Sequence, residues 1–112
     1  MPHSIYYIFH LLFVVPLFLY IGIKRDETPD AVFSALGAMA VGVLGYHGFR
    51  AYSKLTEGKS AWVNWIHIFL VVPLLALLAF QRKNTSRKYF ELLMMLGFAA
   101  AGYHGYYLIV DH

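Results

Sequence analysis

Residues 4–23 read SIYYIFHLLFVVPLFLYIGI, twenty positions without one Asp, Glu, Lys or Arg. At a rise of about 1.5 Å per residue, a helix of this length reaches about 30 Å, the thickness of a bilayer's hydrocarbon core. No water is present there to pair the backbone polar groups. A spanning segment must satisfy them internally, which selects a helix. Three more such stretches follow, at Ala31–Phe49, Ala61–Phe80 and Tyr89–Val110. Their single charged residue is Glu91, near the start of the last. Four segments are too few to close a barrel. The expected fold is an all-α integral membrane protein with four transmembrane helices.

Composition agrees. Of 112 residues, 60% are hydrophobic and 13% charged, against about 45–50% and about 25% in soluble domains. So short a soluble chain has too little interior for so many large side chains. Cysteine is absent, which removes disulfides, thiolate metal sites and cysteine nucleophiles. The net charge of +3 sits in short connectors. It reads as a topology signal, not as a nucleic-acid surface.

The connectors are Lys24–Asp30, Ala51–Ser60 and Gln81–Lys88. Links this short make consecutive helices antiparallel hairpins. Thr28-Pro29-Asp30 is a plausible helix start. The first apolar stretch is too long for a secretory leader, and no small-residue cleavage site follows it.

An offset of 57 residues aligns the two halves without a gap. His10 falls on His67, and Val14-Val15-Pro16-Leu17 on Val71-Val72-Pro73-Leu74. Arg25, Thr28 and Phe33 meet Arg82, Thr85 and Phe90. Gly45-Tyr46-His47-Gly48 meets Gly102-Tyr103-His104-Gly105. This pattern predicts two duplicated helical hairpins, residues 1–56 and 57–112, in one compact membrane domain. Two-span repeats keep one orientation, so a pseudo-two-fold axis along the membrane normal is expected.

Lys24, Arg25, Arg82, Lys83, Arg87 and Lys88 lie in the first and third connectors, and Arg50, Lys54 and Lys59 on the opposite side. The excess of positive charge places the first and third connectors in the cytosol and both termini across the membrane. Both Trp and most Tyr lie toward the termini side, as an interfacial aromatic belt.

Four histidines lie within the apolar stretches: His10, His47, His67 and His104. All four fall on the termini side, and His10 lies about 9 Å in from Ser4. They form a candidate layer near one membrane face. Neutral imidazole ligates haem iron, copper and zinc, and helix bundles build such sites from facing helices. The candidate ligand set for haem b or a transition metal is therefore His10, His47, His67 and His104. Arg50, three residues after His47, could meet a haem propionate. Asn64, three residues before His67, could hold a ring tautomer. The plainer reading is that these histidines reach headgroups or bond between helices. A helical projection also separates the two hairpins. His47 falls opposite the small face Ala31, Ala35, Ala38, Gly42 and Gly45, whereas His104 shares its face with Gly97, Ala100 and Ala101. That small face reads as a tight helix-packing surface.

Pro16 and Pro73 sit mid-span and should kink their helices, which can open a cavity near the histidines. No carboxylate lies at mid-membrane, so an ion-coupled transporter lacks its usual charge carrier. No Ser-His-Asp set, metalloprotease motif or phosphate loop occurs. Enzyme chemistry is unsupported unless a bound haem or metal supplies it.

The pattern His-x-x-x-Val-Val-Pro-Leu, a polar turn, then Gly-Tyr-His-Gly resembles small polytopic membrane proteins encoded by large DNA viruses. The resemblance implies a virion or viral-membrane role and no residue-level function. Three functions stay open: a haem- or metal-binding bundle; a structural membrane protein packed as a homo-oligomer or in a larger assembly; and a proton or small-solute channel along the histidine layer.

Overall fold

The computed structural model describes residues 4–110. These residues form four helices, each long and apolar enough to cross a membrane: α1 (Ser4–Glu27), α2 (Asp30–Thr56), α3 (Trp62–Asn84) and α4 (Arg87–Val110). No strand occurs among the described residues.

Helices α1 and α3 carry the same interruption. In α1 the α-helix widens into a π turn at His10–Val14 and resumes at Val15–Lys24. In α3 the π turn is His67–Val71, and the helix resumes at Val72–Gln81. The cause is the proline that follows. Pro16 and Pro73 cannot donate a hydrogen bond, and their rings crowd the carbonyl one turn earlier. The helix relaxes by one extra residue: Val15 N–H bonds His10 O, and Val72 N–H bonds His67 O. Both segments then end alike, with Arg25 at φ 52°, ψ −120° and Arg82 at φ 51°, ψ −124°, each opening a short 3-10 turn.

Helix α2 starts after Pro29, whose extended backbone cannot continue a helix backwards. It runs past Phe49 to Thr56, so the second connector is shorter than the loss of hydrophobicity suggested. Arg50, Ala51 and Lys54 are good helix formers, and no breaker occurs before Gly58. There Gly58 takes φ +73°. Lys59 N–H reaches back to Lys54 O at 2.7 Å, and Gly58 N–H to Leu55 O at 3.1 Å. This is a Schellman stop, which needs a left-handed residue and favours glycine.

The chain divides into two compact units. One contains α1 and α4, and the other, Thr28–Thr85, contains α2 and α3. Each unit takes one helix from each sequence repeat. In the first, Val14, Val15, Phe18 and Ile21 of α1 and Phe90 and Leu93 of α4 are buried. The helices run antiparallel and pack tightly at Gly22, where a Cβ would lie 2.6 Å from Met94 Cβ. Gly97 makes room for Phe18 and Leu19 in the same way.

In the second unit the buried stripe is Phe33, Leu36, Ala40 and Ala51 of α2 with Leu74, Leu75 and Leu78 of α3. Its close approach is at Gly37, where a Cβ would meet Ala79 Cβ at 3.3 Å. The Arg82 guanidinium ties the end of α3 to the start of α2, donating to Asp30 O at 2.9 Å and Ser34 Oγ at 2.7 Å.

The small face of α2 does not take the packing role expected of it. Ala31, Ala35, Ala38, Gly42 and Gly45 are exposed, and a Cβ at Gly42 or Gly45 would touch nothing within 4 Å. The stripe through Phe33 and Leu36 carries larger apolar side chains. Interlocking these side chains with those of α3 gains more van der Waals contact than the small face offers, which favours turning this stripe inward.

Candidate functional site

The histidines gather in two stacked pairs, one in each unit. In the α1–α4 unit the rings of His10 and His104 lie 4.0 Å apart between centroids and 18° from parallel. In the α2–α3 unit His47 and His67 lie 3.9 Å apart and 10° from parallel. Within each pair one histidine begins a π turn and the other sits on the facing straight helix. His47 and His104 are both buried, at 9% and 7% exposure. As the helical projection expected, His47 is buried opposite the exposed small face of α2, and His104 is buried on the same side of α4 as Gly97. Each meets the ring from a neighbouring helix, a contact that a single-helix projection does not contain.

Hydrogen bonds assign the ring protons. His10 Nδ1 lies 2.7 Å from Tyr6 O, and His67 Nδ1 lies 2.7 Å from Val63 O. A carbonyl only accepts, so each Nδ1 carries the proton and Nε2 carries the lone pair. That tautomer, pinned by a backbone carbonyl, is the usual one for a metal-ligating histidine. His10 and His104 each offer a ring nitrogen within 4.8 Å of the other.

His47 is held differently. The side-chain amide of Asn64 donates from Nδ2 to His47 Nδ1 at 2.9 Å. Asn64 is itself buried, at 3% exposure. Asn64 therefore does hold a tautomer, but that of His47 on the facing helix. Its sequence neighbour His67 is held by Val63 instead.

Arg50 lies one turn past His47 on α2, half-buried, and forms no ion pair or hydrogen bond among the described residues. The glycines flanking His47 and His104, at Gly45, Gly48, Gly102 and Gly105, bring no neighbour close. A Cβ at any of them would have open space around it. An open apolar groove of about 450 Å³ lies along α2 and α3, bordered by Gly37, Leu44, Val72, Ala76 and Phe80. No histidine lines it.

The structure adds residues that inspection of the sequence passed over. The ring of Tyr7 lies 5.9 Å from that of His104, tilted by 44°, and 6.2 Å from Tyr107. Tyr103 packs edge-on against His104 at 5.1 Å. Tyr46 packs edge-on against His47 at the same 5.1 Å, so the pairs differ in that Tyr7 lies beside His104 where Asn64 bonds His47. The signal was present: Tyr7 and Asn64 occupy equivalent positions in the 57-residue alignment. They are unlike residues one turn before matching histidines.

The chain matches no family model, no curated protein and no solved structure.

Proposed function

We propose that the chain is an integral membrane protein that holds a transition-metal ion, copper or zinc, at the His10–His104 pair. One observation carries the reading: Tyr6 O fixes the proton of His10 on Nδ1, so the Nε2 lone pair faces the task of ligation with a second imidazole alongside. Imidazole is a good ligand for both metals, and the chain has no thiolate to compete. Stacking speaks against haem clamped within a pair, and the two rings must turn out of their stack before both nitrogens can meet one ion. Two in-line metal–nitrogen bonds of about 2 Å each already separate the nitrogens by about 4 Å. The rings lie further out still, whereas these centroids are 4.0 Å apart.

Membrane insertion is supported by the outward faces of the helices. Only 17–22% of each apolar window is buried, and Leu12, Val41, Phe69, Phe80 and Ile109 all point out. Patches this large are untenable in water. The charge bias supports a cytosolic side for the first and third connectors. Duplication of an ancestral hairpin is supported by the local geometry recurring at the 57-residue offset: the π turns, the positive-φ arginines and the stacked pairs.

Elemental analysis and copper or zinc titration of the detergent-purified chain test the proposal. Binding that is lost in His104→Phe, which keeps a ring in the stack, is the expected result. A chain that neither retains nor takes up metal overturns it.

A second reading is a structural protein packed in a membrane assembly. It is favoured by the exposed face of Ala31, Ala35, Ala38, Gly42 and Gly45, a surface suited to close helix association in lipid. Cross-linking in native membranes tests it, and a strictly monomeric chain argues against it. The resemblance to small viral membrane proteins adds no residue to either reading.

A further inference from the structure

We infer that the groove between α2 and α3 seats one acyl chain of an anionic phospholipid, whose phosphate is met at the groove's mouth by the Arg82 guanidinium and by Lys83. This rests on the membrane reading above and not on the metal reading.

The groove runs between Gly37, Val41 and Leu44 of α2 and Val72, Ala76 and Phe80 of α3. From Gly37 to Leu44 it follows about 10 Å of helix. Its rim is open, with Val41 72% and Phe80 87% exposed. Small residues create it. A Cβ on Gly37 would lie 3.3 Å from the Ala79 methyl, so the helices come close there, and neither Gly37 nor Ala76 has a side chain long enough to fill the furrow alongside. An unfilled furrow forfeits van der Waals contact on both walls. A hydrocarbon chain is the shape that restores it.

The periodicity of α2 fixes which end of the groove is polar. Asp30, Ser34, Gly37, Val41 and Leu44 recur at steps of three and four residues, so they share one face of the helix. Arg82 donates from Nη2 to Ser34 Oγ at 2.7 Å and from Nη1 to Asp30 O at 2.9 Å. Its guanidinium therefore stands on the groove's face, about one turn beyond Gly37. These bonds hold the planar fork in place and use two of its five N–H groups. The others are left for a phosphate, which a guanidinium binds through paired hydrogen bonds. Lys83 Nζ, 3.4 Å from Thr28 O, adds a second cation at this end. The Asp30 carboxylate opposes them, but it lies 3.8 Å from Arg82 Nη1 and its side chain is 69% exposed, so water screens it. An apolar furrow that ends in fixed positive charge matches a molecule with a hydrocarbon tail and an anionic head. The charge bias supports a cytosolic side for this end, and anionic lipids concentrate in the cytoplasmic leaflet.

The 57-residue alignment sets the same positions of the other unit beside these. The counterparts of Gly37, Ala76 and Ser34 are Met94, Leu19 and Glu91. Met94 abuts Gly22, and Leu19 packs on Gly97, itself the counterpart of Ala40. Larger side chains take up the equivalent space. Glu91, bonded to Arg87 at 2.9 Å, puts a carboxylate where Ser34 presents a hydroxyl. The halves share a backbone plan, but the open furrow with a basic mouth belongs to the α2–α3 unit.

Native mass spectrometry of the detergent-solubilised chain, equilibrated with phosphatidylglycerol and phosphatidylcholine of identical acyl chains, tests the inference. One retained phosphatidylglycerol per chain is expected, favoured by about fivefold or more, the preference that a single Lys or Arg confers at a membrane surface. Ala76→Leu copies Leu19 at an exposed position. It should lose the retained lipid of both kinds with helix content unchanged. Ser34→Glu copies Glu91 and should leave the furrow intact but abolish the headgroup preference, as should Arg82→Gln. Equal retention of the two lipids by the native chain overturns the inference, as does a preference that survives either Ala76→Leu or Ser34→Glu. A chain that stays in solution when detergent is removed in the presence of vesicles overturns the membrane reading and this inference with it. A chain that enters the vesicles without a headgroup preference overturns the inference alone.

Discussion

The imidazole of His10 lies flat on that of His104, 4.0 Å between centroids and 18° from parallel, which makes the ring at position 104 a packing element and, under the metal proposal, a ligand as well. The two roles separate by substitution. His104→Ala removes a buried ring and should destabilise by about 2–4 kcal/mol through the cavity left behind. His104→Phe keeps an aromatic face and should cost less than about 1.5 kcal/mol. Both should abolish metal binding. Unfolding by denaturing detergent reads the first effect. For the second, a ligand at one hundred times its Kd stabilises by about 2.7 kcal/mol. That increment should be present in the native chain and absent from both variants.

Glycines that look alike in sequence should respond very differently to alanine. A Cβ at Gly22 would lie 2.6 Å from Met94 Cβ and 3.2 Å from its Cα, so backbone must move. Gly22→Ala should destabilise by about 1–3 kcal/mol. At Gly37 the nearest atom is the Ala79 methyl at 3.3 Å, and Gly37→Ala should cost less. Gly42 meets nothing, so Gly42→Ala should be neutral or stabilise by up to about 1 kcal/mol through helix propensity. Equal effects at Gly22 and Gly42 would contradict the helix crossing described above.

Arg25 and Arg82 adopt the same positive φ, a region costly for any side chain with a Cβ. Arg82 offsets the cost through its bonds to Asp30 O and Ser34 Oγ. Arg25→Gly should therefore stabilise by about 1 kcal/mol, whereas Arg82→Gly should not. Paired unfolding curves of the two variants check the contrast.

The chain contains no cysteine, so any introduced thiol is the sole target of a maleimide. Cysteines replacing Lys59 and Lys83 should be labelled from opposite sides of the membrane, with Lys83→Cys reached only from the cytosol. Labelling of both from one side would refute the hairpin topology.

Most of the architecture was readable in one dimension. The count of four long apolar helices follows from runs of uncharged residues, each of about the length a bilayer's thickness would demand. The π turns have a local cause as well: Pro16 and Pro73 lack a donor, and the preceding turn must widen. The histidines could be ranked as candidates because polar groups are rare in these stretches and recur at one offset. The end of α2 was less legible. Hydrophobicity falls at Arg50, but helicity ends only where Gly58 can take a left-handed conformation.

Pairing was not readable in this way. Equal spacing put the four histidines at similar depth, but depth along a helix says nothing about which neighbour a ring faces. That His10 meets His104, that Asn64 reaches His47 past the nearer His67, and that the large stripe of α2 turns inward while its small face stays out are all outcomes of helix against helix. Local forces act within a turn and leave their mark in the residues of that turn. Contacts between helices depend on rotation about each axis, set by the sum of many small packing terms, none of which is written at a single position.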